Sequence, residues 1–245
     1  MTEPNEDEAR SEATKSALAV GAATAAYGVS FGALSVASGL DVWQTCFLSV
    51  VMFSGGSQFA VIGILAGGGT TAGTAAIASA ALLGTRNGIY GLRMAPVVGN
   101  GWPKRLAAAW VTIDESTAVS LAQPTLRSQR RGFWLTGIAV FVGWNATTLV
   151  GALIGGVLGD TSAYGLDAAA AAAFVGLLWP RLKRRQAAAV AVAAAIVAAV
   201  LTPVLMPGLP VLVAALVAVV FGALNLFGEE SISPRYPLSG RRRGR

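Results

Sequence analysis

Long apolar runs separated by short polar punctuation dominate the pattern of this chain. A helix needs about 20 apolar residues to cross the hydrocarbon of a bilayer. By that measure the pattern predicts spans at 17–40, 42–66, 71–98, 133–158, 166–179, 187–205 and 211–227. The expected fold is all-α, a polytopic transmembrane helix bundle of about seven spans. Two runs are irregular: the third is long for one upright crossing and holds Arg86 and Arg93, while the fifth is short and ends at Pro180. The same pattern divides the chain into an acidic N-terminal tail at 1–16, a transmembrane domain at 17–227 and a basic tail at 228–245. The last of these has almost nothing to bury, which predicts disorder.

Three polar interruptions inside the apolar runs are the candidate chemistry. The first is Ser54-Gly55-Gly56-Ser57-Gln58. A helix broken in lipid exposes N–H and C=O groups at several kcal/mol each, so a break is tolerated only where protein or a water-filled cavity satisfies them. Freed amides attract a carboxylate and freed carbonyls an ammonium, so a zwitterionic amino acid suits both. Alternatively, the glycines only permit close helix packing, with Ser and Gln bonded to a neighbour. The second interruption is "GTRNGIYGLR" at 84–93. A central Arg costs about 2.5 to 3.5 kcal/mol even on the mildest scale. Arg86 therefore presents its donors to a substrate carboxylate or to an acid such as Asp114, or else 71–83 and 87–98 are two short pieces with Arg86 at an interface. Asn87 and Tyr90 accompany it, whereas Arg93 is close enough to the following loop to snorkel. The third is "VTIDESTAVSLA" at 111–122, where Asp114 and Glu115 are candidates for carrying or gating a proton, or for capping an amphipathic helix. Asn145, in the fourth span, is a further cavity candidate.

Composition supports the membrane reading and narrows the chemistry. Hydrophobic residues make up 54% of the chain and charged ones 12%, a poor surface for water. Residues 1–12 hold five acids and one arginine, so a cleavable secretory leader is not expected. One cysteine and no histidine leave no cysteine-cluster metal site and no common general base, and neither a metal nor a cofactor is expected. No nucleophile constellation suggests an enzyme. The net charge of +6 is gathered at 104–131, 181–185 and 241–245. By the positive-inside rule these regions are cytoplasmic, the C-terminus included, and the charge needs no nucleic-acid partner. Three single crossings before the first basic loop would leave the N-terminus outside; a crossing or re-entrant piece at 110–121 would reverse that.

Tyr27 to Asp41, "YGVSFGALSVASGLD", is echoed by "LVGALIGGVLGDTSAYGLD" at 149–167. With the N-terminus outside, the two copies would be opposed, the inverted-repeat plan of many secondary transporters. Chance recurrence of glycine-rich helices and Asp caps is the plainer account.

Tyr27-Gly28 to Gly32, "FSGGSQFAVIG" at 53–63, "TRNGIYGLRMAP" at 85–96, "DES" at 114–116, "GLD" at 165–167 and "LLWPRLKRR" at 177–185 occur in the order seen in the AzlC family, which the chain resembles over about 17–227. That resemblance implies the large subunit of a branched-chain amino acid exporter in a prokaryotic inner membrane, working with a small AzlD-type membrane subunit. It implies efflux of valine, leucine, isoleucine or similar amino acids, which we expect to be proton-coupled. The family often has His after the Arg of the second motif; here it is Asn87, which hydrogen-bonds but cannot titrate near neutral pH. The rival expectation from another class is a non-transporting membrane scaffold or accessory subunit whose polar breaks are subunit contacts.

Overall fold

The computed structural model describes residues 5–158, 175, 179–183, 185–206 and 209–224, and every regular element among them is helical. In chain order these are α1 (Glu6–Ala37), α2 (Val42–Val51), α3 (Gly55–Gly68), α4 (Gly73–Val98), α5 (Trp102–Val111), α6 (Asp114–Leu121), α7 (Leu126–Leu158), α8 (Arg185–Leu201) and α9 (Leu209–Leu224). Short 3-10 segments lie at Gly69–Ala72 and Trp179–Lys183. The helical membrane bundle expected from the sequence is what forms. Three stretches are long and apolar enough to cross a bilayer, Glu6–Ala37, Gly55–Val98 and Leu126–Val157, and α2, α8 and α9 are shorter apolar helices. Of the expected fifth span at 166–179 only Val175 and Trp179 are described, and the tail at 228–245 lies outside the described residues.

The spine of the bundle is α1 against α7. Small residues let two backbones approach closely in lipid, and here they line both sides. A Cβ on Gly21 would lie 2.8 Å from that of Ala139, one on Gly32 would run into the Thr148 carbonyl, and one on Gly151 into that of Val29. Thr147 Oγ1 crosses the seam to donate to the Ala25 carbonyl at 2.7 Å. At the start of both helices Arg131 Nε donates to Thr14 Oγ1 at 2.8 Å, and at the far end Gly155 faces Ala33. Residue numbers rise together along the seam, so α1 and α7 are parallel. Residues 6–16, four acids with Arg10 and Lys15 among them, form the first turns of α1, with Thr14 beside Arg131.

Parallel packing corrects the inverted arrangement considered for the echo. Its first copy ends α1, and the described part of its second copy ends α7, so the two run the same way. The physical reason lies in the two broken segments between them. In the first, α2 descends antiparallel to α7, its start beside Gly156 and Ser49 near Thr148. After the break at 52–54, α3 runs back. It is antiparallel to α4, since Ser57 Oγ donates to the Ala80 carbonyl at 3.0 Å while Val61 and Ile64 share a cluster with Ala72 and Ala76. The chain reverses at Gly69, whose φ of +57° favours glycine. The expected second span at 42–66 is thus two arms of a hairpin that returns to its own end.

Helix α4 then runs unbroken past Arg86 and finishes beside the start of α7, where Arg130 Nε donates to the Val97 carbonyl at 2.7 Å. The alternative of two short pieces at 71–98 does not hold. The second broken segment mirrors the first from the opposite end. Helix α5 rises parallel to α7, with Ala108 clustered on Phe133 and Val111 against Gly137. Helix α6 returns, placing Val119 against Gly132 and Ser120 Oγ on the Gln129 carbonyl at 3.0 Å. This is the re-entrant piece considered at 110–121. Two hairpins that each return to their own side leave α4 as the one full passage between α1 and α7. The start of α1 therefore shares an end with the basic 104–131 region.

Two outcomes are expected. Reporter tags at the N-terminus and between α6 and α7 should be accessible from the same face of the membrane in a labelling assay. In thermal unfolding in detergent, Gly32→Val should lower stability by about 3 kcal/mol, the upper part of the overpacking range, because a backbone carbonyl cannot move aside. Gly88→Ala in α4, with open space at its Cβ position, should be neutral or stabilising by up to about 1 kcal/mol.

Candidate functional site

The two hairpin tips meet at mid-depth. Phe53 and Ile113, one from each break, are buried in a single cluster with Phe31, Phe59 and Trp144. The Phe31 ring stacks on Trp144 with centroids 5.8 Å apart, and Phe59 meets both rings edge-on. Trp144 is 4% exposed whereas Trp43 is 83% exposed, so Trp144 is a core residue and not an interfacial anchor. The top of its ring lies 3.5 Å from where a Cβ on Gly55 would sit. The sequence reading passed over Trp144; its mid-span position, far from either interface, was the available signal.

Each break is closed by a polar side chain from the helix that follows it. Gln58 is fully buried, and its Nε2 donates to the Met52 carbonyl at 2.7 Å and to the Ser49 carbonyl at 3.2 Å, groups freed where α2 stops. In the second hairpin Ser116 Oγ accepts from the Ile113 amide at 3.0 Å and donates to the Val111 carbonyl at 2.7 Å. Ser116 is a structural residue the sequence reading did not single out, although an alcohol three residues after a break is a helix-capping pattern. Ser54 donates to Ser57 Oγ at 3.3 Å but makes no side-chain cap on α3. The first-turn amides of Gly55, Gly56 and Ser57 therefore form a positive helix end with no side-chain acceptor capping it.

Arg86 reaches this end from α4. A Cβ on Gly56 would lie 2.7 Å from Arg86 Nη2 and 3.4 Å from Cζ, so glycine is what lets the guanidinium rest against the α3 N-terminus. Its other terminal nitrogen, Nη1, is 3.0 Å from Asp114 Oδ2, and the two side chains are 29% and 26% exposed. Asp114 opens α6, where a carboxylate complements the helix dipole. Two positive helix ends and a guanidinium thus converge on a mid-membrane point, with Asp114 as the counter-charge.

The remaining candidates fall around this pair. Asn87 is next to Arg86, half-buried, with its Oδ1 buried and without a protein acceptor or donor. Tyr90 is one turn along α4 and half-buried, while Arg93 is exposed. Glu115 follows Asp114 in the first turn of α6 and is half-buried. Asn145 donates from Nδ2 to the Phe141 carbonyl of its own helix at 2.8 Å, with its Oδ1 buried and unpartnered. No cluster of three His, Cys, Asp or Glu able to hold a metal occurs among the described residues.

Fold and site together define a helical membrane protein built on broken segments, with a charged pair held where the breaks meet. The family model described as AzlC protein matches residues 19–158, and the chain belongs to that family. The match runs from the middle of α1 to the end of α7, taking in both hairpins and the Arg86–Asp114 pair; the "GLD" and "LLWPRLKRR" motifs lie beyond it. The AzlC family is associated with branched-chain amino acid transport, is a membrane transport component and not an enzyme family, and usually functions with a small partner. A search of curated proteins and a search of solved structures each found no match.

The closure of the first break is directly testable. Gln58→Leu removes the donor to the Ser49 and Met52 carbonyls, which should cost about 1 to 3 kcal/mol for the buried groups left unpaired. Thermal unfolding in detergent should show the loss, and Gln58→Glu, whose protonated carboxyl keeps one O–H donor, should lose less.

Proposed function

We propose that this chain is the large subunit of a two-subunit permease that exports branched-chain or other hydrophobic amino acids from a prokaryotic cytoplasm across the inner membrane. The observation that carries the reading is the Arg86–Asp114 pair at 3.0 Å against the open N-terminus of α3. That point is electropositive by construction, and Asp114 stands where a substrate carboxylate would go. The substrate carboxylate displaces Asp114 from Arg86 and takes hydrogen bonds from the Gly55, Gly56 and Ser57 amides. Asp114, released from its counter-ion, and Glu115 beside it are the groups that carry or gate a proton.

Gln58 and Ser54 shape the wall of the site, Asn87 and Tyr90 flank Arg86, and the aromatic group of Phe31, Phe59 and Trp144 gives an apolar side chain its contact. Alternating access follows from two hairpins entering from opposite ends, each able to open its own side. The basic end, with the start of α1, is cytoplasmic, and the C-terminus lies on the same side. The small AzlD-type subunit covers lipid-facing surface. One observation favours the scaffold reading: the Gln58 amide nitrogen is committed to closing a break, which a non-transporting protein would need as well. Substrate-dependent flux separates the two.

With both subunits in liposomes, counterflow of labelled leucine, isoleucine and valine should be robust in the native pair. It should fall at least 100-fold in Arg86→Ala, with poor rescue by Arg86→Lys, which lacks the bidentate fork. Arg86→Gln/Asp114→Asn removes both charges together and avoids orphaning one; it should insert normally and remain inactive. Normal flux in that double variant would make the pair purely structural. Gly56→Leu should impair flux far more than Ala66→Leu, because its side chain displaces the guanidinium.

A further inference from the structure

A second charged feature lies at the basic end, well away from Arg86. Arg10 of α1 and Arg127, Arg130 and Arg131 of α7 line one cavity of about 320 Å³. Arg10 and Arg131 are shared with an adjoining cavity of about 370 Å³, which Asp7 and Lys15 also line. Four guanidiniums around one space repel one another. Three of them also sit in the opening turns of α7, where the helix dipole disfavours cations. Among the described residues, none of the four has a carboxylate within 4 Å, the Arg86–Asp114 pair being elsewhere. The arrangement is nonetheless ordered. Arg130 Nε donates to the Val97 carbonyl at 2.7 Å and Arg131 Nε to Thr14 Oγ1 at 2.8 Å, bonds that leave the terminal nitrogens of both for another acceptor.

Depth identifies the class of that acceptor. On α1 the lipid-facing surface begins about two turns after Arg10, with Leu18 58% exposed; on α7 the apolar run begins at Phe133. The cavity therefore lies at headgroup level, at the end the positive-inside rule turns toward the anionic cytoplasmic leaflet. A phosphate carrying acyl chains gains the adjoining apolar surface, and a soluble phosphate does not.

We infer that this cavity binds the phosphate of an anionic phospholipid, clamped between the first turns of α1 and α7. The lipid neutralises the arginine cluster and fastens the parallel pair at the end where its glycine seam has not yet begun.

Native mass spectrometry of the full-length protein in neutral detergent tests this, with phosphatidylglycerol, phosphatidylcholine and inorganic phosphate as probes. Arg10→Gln/Arg127→Gln removes two cavity charges while sparing the bonds of Arg130 and Arg131. Both side chains are exposed, so the fold should persist. Lys104→Gln/Arg105→Gln makes the same change of charge on α5, outside the cavity. Phosphatidylglycerol should be retained in preference to phosphatidylcholine. Retention should weaken about 30-fold in the first double variant, at roughly fivefold per basic residue, and be unchanged in the second. Equal weakening in both, or in neither, overturns a discrete site. Displacement of the lipid by equimolar inorganic phosphate overturns the lipid as its occupant and assigns the cavity to a soluble phosphate.

Discussion

A helix that stops halfway through hydrocarbon leaves carbonyls at its last turn and amides at the first turn of the next, with no water to take them. Everything distinctive about this bundle answers that constraint. Gln58 and Ser116 answer for the carbonyls, each reaching back across its own break to a group its predecessor helix left open. The amides receive different treatment at the two tips. In the second hairpin, Ser116 takes the Ile113 amide and Asp114 balances the end of α6. In the first, no side chain caps the start of α3 by a hydrogen bond, and the approach of Arg86 adds positive charge to an end already positive. An arrangement that resolves one half of the backbone demand and intensifies the other is poorly suited to mere packing and well suited to holding an exchangeable anion.

The apolar cluster makes this polarity tolerable. Phe53 and Ile113 belong to the breaks themselves, and they are buried with Phe31, Phe59 and Trp144. The aromatic rings thus pin the tips of both hairpins to the α1–α7 spine, so the irregular backbone is surrounded by protein and not by lipid. One glycine sets the distance. Gly56 admits the guanidinium, which a Cβ there would meet at 2.7 Å, whereas a Cβ at Gly55 would rest on the indole at an ordinary 3.5 Å.

Much of this was legible in the sequence because the cost of polarity in lipid makes each exception conspicuous. Ser54 to Gln58, Arg86 and Asp114 stand out individually for that reason, and Arg86–Asp114 was one of two pairings the residues allowed. Direction was not legible. The arms of 42–66 are apolar on either side of the break, and a hairpin that turns back has the same composition as a crossing that continues. The α5–α6 segment has lysine, arginine and four alcohols and reads equally well as an amphipathic surface helix. The role of Gln58 was hidden for another reason: its partners are main-chain carbonyls, which every residue possesses and no sequence displays. The parallel seam was not legible in the echo, which allowed opposed copies or chance recurrence, because matching glycine spacing does not display which way two helices run.

Three full passages with two returning hairpins give the unit from α1 to α7 an odd parity, so its two ends emerge on opposite faces of the bilayer. A direct head-to-tail fusion of two such units would insert its second copy upside down. The fold therefore carries a ready route from a single unit to an antiparallel pseudo-dimer, by gene duplication alone and with no new crossing required. Placing two copies in the same sense would instead need an extra helix between them. In this chain the end of α7 accordingly lies opposite the basic end.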